Sequence, residues 1–363
     1  MNKSIVGIIF LLLCLLVPII AAFATGPIRC DYCKQIITTG SYIEVDGKYY
    51  HPHHFLCANC NNSIGQSAYY EKDGQYYDSL CYFKLFVPTC AYCGKPITGK
   101  VIEYQGQKYD EQCFTQHLAL RCTLCGDIIN GDYMVDFWGN AIHRYHIGKE
   151  PQCEYCGRFI SPTISNGGQT YSDGRVICGL CAGSAMSSLS EAKATMSAVK
   201  NALSGIGITI DDEGIPLTLI DRDQLNRLDQ GERTGKLEGY TYYRSYGKPG
   251  GPPQSREFSI SILTGMPRLR FIFAMAHELM HVWIFTNAPR ETDPALSEGS
   301  CNYAAYLVLQ MFDSKEADFM RQMIMQNDDP LYGDGFRRVK EFAEKVGLTG
   351  WLNYLQHNQR PPW

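Results

Sequence analysis

The sequence predicts a multidomain protein in which small β-hairpin units are followed by a larger α+β domain. Most of the 16 cysteines fall in the first half of the 363-residue chain, in pairs that repeat at similar spacing. Between the pairs lie short alternating apolar segments around a glycine, which is a hairpin pattern. After Cys181 the pairs stop, and strand-like segments are followed by long segments with helical spacing. This order is typical of an α+β domain.

Residues 1–24 are predicted to be a signal peptide. They contain one lysine, a long apolar run and an Ala-Phe-Ala ending at Ala24, where we expect cleavage. The mature protein would then be secreted or periplasmic and would have no membrane anchor. The alternative is an uncleaved anchor, since the apolar run is nearly long enough to span a bilayer.

Five sets of four metal-ligand residues follow. In each set, two cysteines separated by two residues precede a second pair with the same separation. The sets are Cys30, Cys33, His51 and His54; Cys57, Cys60, Asp78 and Cys81; Cys90, Cys93, Asp110 and Cys113; Cys122, Cys125, His143 and His146; and Cys153, Cys156, Cys178 and Cys181.

This spacing predicts five structural zinc sites. A hairpin returns the second pair to the first, so that four side chains surround one tetrahedral ion. Disulfides are the alternative in an exported chain, but they would not require histidines at the missing cysteine positions. In the third site His117 is an alternative to Asp110. Units this small cannot bury a core, so metal binding would stabilise their fold.

The charge of the chain argues against nucleic acid as a partner. Its formal net charge is −4, and residues 26–181 contain 13 Lys and Arg against 15 Asp and Glu. Zinc-finger-like readers of DNA need a basic face. We therefore expect no nucleic-acid partner.

The second half of the chain predicts strands followed by helices. A helix is expected over 182–203, then strands at "GITI", "IPLTLID", "GYTYYRSYG" and "REFSISIL". A helix is predicted over 267–287, and another begins at Pro294 with Asp293 as its cap. Two more helices are expected in "SKEADFMRQMIMQ" and in the segment from Gly335 to His357.

The segment "AHELMH" predicts a catalytic zinc site on the helix over 267–287. His277 and His281 lie one turn apart on one face, where two imidazoles can bind one ion. Glu278 would act as the general base on a water at that ion. The alternative is an accidental match, but a polar trio on an otherwise apolar helix is costly without a shared partner.

A third ligand is needed, and Glu298 on the next predicted helix can supply it. Glu291 and Asp293 are alternatives that precede that helix. Asn302 lies one turn beyond Glu298 and could orient a ligand. Cys301 is interpreted as a small buried residue.

The cysteine-rich half resembles LIM proteins. "CDYC", "HPHHFLCANC" and "YYDSLCYFKLF" resemble a LIM domain, with departures at His54 and Asp78. We therefore predict a LIM domain at 25–86, a LIM-like two-zinc unit at 87–150 and a fifth zinc knuckle at 151–182.

Residues 183–363 resemble a peptidase domain. "SILTGMPRLRFIFAMAHELMHVW", "LSEGSC" and "YGDGFRRVKEFAEKVGLTGWLNYLQH" resemble the LIM-peptidase family of plant organ-size regulators (the DA-one type) and their bacterial relatives. The resemblance implies a zincin-like metallopeptidase domain with Glu298 as the third ligand. Its chemistry alone is carried over, because the predicted signal peptide would remove this chain from the cytosol.

We predict a zinc-dependent endopeptidase with one catalytic and five structural zinc ions. It would act on protein or peptide substrates, and the LIM-like units would bind substrate or a protein partner, or gate the cleft. The alternative is a non-catalytic LIM-type interaction or scaffold protein with a relic peptidase domain.

Overall fold

A computed structural model describes residues 27–38, 40–211, 214–229, 237–247, 253–289 and 291–363. The predicted signal peptide lies outside these residues. The chain divides into two compact units, Met1–Ala119 and Leu120–Trp363. The division falls within the range 87–150 that was predicted as one LIM-like unit.

The first unit is built from three antiparallel hairpins, as the glycine-centred patterns predicted. Their strands are Ile43–Val45 (β1) and Lys48–Tyr50 (β2), Tyr69–Lys72 (β3) and Gln75–Asp78 (β4), and Val101–Tyr104 (β5) and Gln107–Asp110 (β6). Two-residue turns join the strands of each hairpin, and both residues of each turn have positive φ. The turn residues are Asp46 and Gly47, Asp73 and Gly74, and Gln105 and Gly106. This is the type I′ geometry that matches the twist of a hairpin. Helices Ser79–Phe86 (α1) and Glu111–Cys113 (α2) follow the second and third hairpins.

The cores of the first unit are small. Val45, Phe55, Ile64 and Tyr77 pack around Cys57 and join the first two hairpins. Ile97 and Tyr109 pack with Cys90 around the third hairpin. The burial of so few side chains cannot offset the chain entropy that is lost on folding. The first unit therefore needs a further source of stability.

The second unit begins with two more hairpins. Their strands are Tyr133–Val135 (β7) and Ala141–His143 (β8), and Gly168–Thr170 (β9) and Val176–Cys178 (β10). Short helices Pro162–Ser165 (α3) and Gly179–Ala182 (α4) flank the second of these hairpins.

The rest of the second unit combines a small sheet with long helices. Its elements are Ala185–Met186 (β11), Leu189–Gly205 (α5), Leu217–Ile220 (β12), Arg222–Leu228 (α6), Gly239–Tyr246 (β13), Ser255–Leu263 (β14), Met266–Pro267 (β15), Arg268–Asn287 (α7), Pro294–Leu309 (α8), Lys315–Met325 (α9) and Gly335–His357 (α10). The structure thus confirms the predicted order of cysteine-rich hairpins followed by mixed helix and sheet. In the part of the chain that the structure describes, no helix is both long and apolar enough to cross a membrane.

The three-stranded sheet has the order β12-β14-β13. The central strand β14 is parallel to β12 and antiparallel to β13. Because β13 is last in this order, it forms one edge of the sheet. Helix α7 is buried from Phe271 to Ile284 and packs against β13, α5 and α8. A helix this apolar on all sides belongs in the middle of a core.

Two sequence predictions are corrected. "GITI" is not a strand: Gly207 has φ 89°, and the N–H of Ile208 donates to Leu203 O at 2.9 Å. These residues therefore cap the end of α5 while Ile208 buries its side chain. The helix predicted from residue 182 begins at Leu189, because Ala185 and Met186 pair with β15.

Candidate metal centre and cleft

Helix α7 brings two imidazoles together inside the second unit. His277 and His281 are one turn apart, both are buried, and their Nε2 atoms lie 3.1 Å from each other. Two imidazole nitrogens this close favour a shared cation between them.

Glu298 joins the two histidines from helix α8. Its Oε2 lies 3.2 Å from His277 Nε2 and 3.4 Å from His281 Nε2. Zinc bonds of about 2.0–2.1 Å at tetrahedral angles place neighbouring ligand atoms about 3.3 Å apart. The three atoms therefore fit one zinc ion.

Charge and hydrogen bonding support this cluster. Burial disfavours the Glu298 carboxylate, but His281 and His277 outweigh it and hold the pKa of Glu298 well below its ordinary value. Burial also opposes the charged form of His277, yet the Glu298 carboxylate raises the pKa of His277. Glu298 is therefore ionised, which is the form that binds a metal.

Asn302 fixes the ring of His277. Its Oδ1 lies 2.9 Å from His277 Nδ1, and its Nδ2 donates to the backbone oxygen of Tyr332 at 2.7 Å. Because the amide is held at both ends, Nδ1 carries the hydrogen and Nε2 keeps its lone pair for a metal. The sequence had suggested this role from the helical spacing of Asn302 and Glu298.

Glu278 is held by the edge strand β13. The hydroxyl of Thr241 donates to Glu278 Oε2 at 2.6 Å. A Cβ at Gly239 would lie 2.5 Å from Glu278 Oε1, so only glycine leaves room for the carboxylate. Sequence analysis missed both residues, because they lie 37 and 39 positions before Glu278 and no local pattern links them to it.

A cavity of about 520 Å³ opens beside these groups. His277, Glu278 and Asn302 belong to its polar wall, which also includes charged side chains such as Glu238 and Arg270. An apolar wall is supplied by Leu237, Phe273, Phe319, Met320, Met323 and Ile324. A concave site that combines polar groups with apolar surroundings is typical of a ligand site.

The alternative ligands lie elsewhere. Glu291 is exposed with φ 68°, and Asp293 accepts the backbone N–H groups of Ala295 and Leu296 as the cap of α8. Cys301 is fully buried in the core.

Tyr332, Tyr303 and Arg337 are polar side chains of the helices and turns that follow His281. Tyr332 lines the cavity, with its ring 6.2 Å from that of His277. Tyr303 packs on Trp351, and Arg337 donates to backbone oxygens and to Asp334. Of these three, Tyr332 alone lines the cavity.

The five predicted structural sets each converge on one point. In every set the four ligand atoms lie within 4.8 Å of one another. Sγ–Nδ1 distances are 3.5 Å for Cys33 and His51 and 3.5 Å for Cys125 and His143, and the Sγ atoms of Cys156 and Cys178 are 3.6 Å apart. Tetrahedral zinc would give about 3.5 Å and about 3.8 Å. The sets therefore form clusters whose geometry fits a tetrahedral zinc ion, three in the first unit and two in the second.

Backbone N–H groups favour the thiolate form of two of the ligand cysteines, Cys30 and Cys122. Burial raises the pKa of a thiol, but the N–H groups of Cys33 and His51 outweigh it and lower the pKa of Cys30 to about 6. The N–H groups of Cys125 and His143 likewise outweigh burial and lower the pKa of Cys122 to about 6. Thiolates are the metal-binding form.

The two aspartates have a double role. Asp78 Oδ1 accepts from Cys81 N at 2.8 Å and Asp110 Oδ1 accepts from Cys113 N at 2.7 Å, while each Oδ2 faces a thiol of its cluster. These backbone N–H groups lower the pKa of both carboxyls below the ordinary value. His117, the alternative to Asp110, stacks on Tyr92 with ring centroids 4.3 Å apart.

Comparisons with known proteins match a LIM domain in the cysteine-rich half and a DA1-like region in the second half. The LIM domain model matches residues 30–86, and the DA1-like model, described as Protein DA1, matches residues 254–318. Protein DA1-related 2 of Arabidopsis thaliana is 24% identical, over 90% of this chain and 68% of its own length. LIM domain-containing protein HDR3 of Oryza sativa subsp. japonica is 24% identical over 90% and 72%, and Protein DA1 of Arabidopsis thaliana is 22% identical over 92% and 68%. The chain therefore combines a LIM domain with a DA1-like region and is similar to plant DA1 proteins along about nine-tenths of its length.

Proposed function

We propose that this protein is a zinc-dependent endopeptidase. The observation that carries the proposal is the arrangement of His277, His281 and Glu298, whose three ligand atoms lie 3.1–3.4 Å apart with Glu278 beside them in a cavity wall. Three protein ligands with an open fourth position are typical of catalytic zinc, whereas structural sites have four protein ligands. The other five clusters are of the four-ligand type.

The roles of the side chains follow from their contacts. His277, His281 and Glu298 would hold a zinc ion, which would supply Lewis-acid polarisation of the scissile carbonyl and would make a water molecule more acidic. Glu278 takes a proton from the attacking water and gives it to the leaving amine as the C–N bond breaks. Thr241 holds the Glu278 carboxylate in place, and Asn302 keeps His277 in the metal-binding tautomer.

The sheet edge suggests how a polypeptide would bind. β13 is an edge strand, and its first residue, Gly239, lines the cavity beside Glu278 together with Leu237. An extended peptide can add to such an edge through main-chain hydrogen bonds. Because this mode needs no free chain end, we propose internal cleavage of protein substrates.

The remaining parts of the proposal concern the cysteine-rich units and the location. LIM domains in general mediate protein–protein interactions, and we assign the LIM-like units to binding of substrate or a partner protein. The five four-ligand clusters would bind structural zinc. The predicted signal peptide would direct the chain to a secreted or periplasmic location.

The test compares Glu278→Gln with Glu291→Gln, a matched change at an exposed glutamate. Both variants are expected to keep the zinc content of the unsubstituted protein, and Glu278→Gln alone should lose hydrolysis of fluorogenic peptides. Full activity in Glu278→Gln would reject this mechanism. Failure of the zinc-loaded unsubstituted protein to cleave any peptide would instead favour the LIM-type interaction protein.

A further inference from the structure

A second, smaller cavity adjoins the first in the second unit. It measures about 200 Å³, and the two cavities share Tyr155, Arg270, Phe319 and Met320 as wall residues. The smaller cavity therefore lies next to the cleft that holds His277 and Glu278.

The smaller cavity is formed jointly by the zinc units and the helical part. The fourth and fifth zinc units are the segments 122–146 and 153–181, which hold the fourth and fifth ligand sets. They contribute Trp138, Tyr155 and Leu180 to the cavity. Helix α7 contributes Leu269, and helix α9 contributes Phe319 and Met320. These large side chains make its lining mainly apolar. A cavity of about 150 Å³ with an apolar lining can hold a benzene ring, so this one has room for one large side chain.

The charges at this cavity are already compensated. Arg158 lies over the Trp138 ring at 3.3 Å and pairs with Glu316 at 3.4 Å. Arg270 pairs with Glu238, with a closest N–O distance of 2.6 Å. An occupant with its own charge would compete with these pairs, so a neutral apolar occupant is favoured.

The walls are held in place before any ligand binds. Trp138 Nε1 donates to Cys156 O at 2.9 Å, and Lys315 Nζ donates to Trp138 O at 3.1 Å. The Trp138 and Phe319 rings lie 5.3 Å apart, and a Cβ at Gly157 would lie 3.2 Å from Phe319. Such contacts fix helix α9 against the fourth and fifth zinc units and leave a preformed pocket.

We propose that the smaller cavity is a substrate subsite that binds one large apolar side chain of the peptide, at a position removed from the cleaved bond. The inference rests on the proposed function, because the occupant is a segment of the same polypeptide that lies in the larger cleft. Because the two cavities share Phe319 and Met320 as wall residues, a peptide that extends past these side chains from the larger cleft can reach the smaller cavity. The zinc units thereby take part in selecting the substrate.

The test is the cleavage profile of peptides randomised on both sides of the cleaved bond. The unsubstituted protein should prefer Leu, Phe or Met over Ser or Asp at one position away from that bond, roughly 10- to 100-fold in kcat/KM. Leu180→Glu places a charge at the mouth, and Ser184→Phe fills the cavity. Both variants should lose this preference.

Leu228→Glu is the matched control, since Leu228 and Leu180 are each 43% exposed and Leu228 lines neither cavity. The control should keep the preference. An unchanged profile in both Leu180→Glu and Ser184→Phe, with zinc content intact, would overturn the subsite. If the unsubstituted protein cleaves no peptide, the proposed function itself fails, and the subsite falls with it.

Discussion

Gly239 offers a sharp test of how the general base is held. In Gly239→Ala the new Cβ would lie 2.5 Å from Glu278 Oε1, 2.6 Å from its Cγ and 2.8 Å from its Cδ. Ordinary contacts between such atoms are about 3.5–4.0 Å, so the carboxylate must move by about 1 Å. The atoms in conflict belong to the end of a flexible side chain, which can shift while the backbone stays in place.

We therefore expect a large loss of activity with little loss of stability. A displacement of about 1 Å at a catalytic group can reduce the rate about 100-fold. The zinc content should stay the same, because the three atoms nearest to the added methyl group all belong to Glu278 and not to a zinc ligand. Peptide hydrolysis, elemental analysis and thermal unfolding measure the three quantities.

Gly205→Ala is the control, since a Cβ there meets nothing within 4 Å. It should leave hydrolysis unchanged. The reasoning would be refuted if Gly239→Ala were folded and fully active. A loss of zinc or of the fold in that variant would show that β13 supports structure rather than Glu278.

Three further predictions concern the ligands and the fold. Glu298→Ala should lose one zinc per chain by elemental analysis while Glu291→Ala keeps all; equal zinc contents would show that the wrong carboxylate was chosen. Asn302→Ala should weaken binding of the same ion about 10- to 100-fold in a chelator competition titration, and an unchanged affinity would remove its orienting role. Asp173→Asn should lower the free energy of unfolding by about 3–5 kcal/mol in denaturant titrations, because it removes the negative charge that pairs with the buried Arg175 at 2.9 Å. An unchanged unfolding midpoint would contradict this.

The zinc clusters were predictable because each depends on local spacing. A separation of two residues lets Cys30 and Cys33 face one ion, and a hairpin of fixed length returns His51 and His54 to the same point. The same holds for His277 and His281, since one helical turn fixes their distance. Glu298 was harder to identify, but its place near the start of α8 limited the alternatives.

The features of the site and fold that the sequence did not predict depend on contacts between distant segments. Thr241 and Gly239 meet Glu278 only because β13 packs beside α7, and no periodicity in the sequence encodes that contact. The apolar pattern of "GITI" misled for a related reason: Ile208 is buried at the end of α5 without pairing to a strand. Apolar patterns report burial, whereas the partner that provides it is set by the tertiary fold.

The smaller cavity is a third case. Trp138 and Phe319 are separated by 181 positions, yet their rings pack together beside the cleft. The sequence predicted a LIM-like two-zinc unit at 87–150 and a fifth zinc knuckle at 151–182, both separate from the domain at 183–363. Their side chains instead form part of the cavity surface in the second unit.

The central claim is that His277, His281 and Glu298 bind one zinc ion that serves peptide hydrolysis. The most direct measurement is peptidase activity as a function of zinc bound per chain, during removal by a weak chelator and stepwise return of zinc. The three-ligand site should release its ion first, because the four-ligand clusters bind theirs with more protein bonds. We predict that activity disappears with the first zinc removed, while five remain, and returns in proportion to its replacement. Full activity with that zinc removed would contradict the account, as would a fully loaded protein that hydrolyses no peptide.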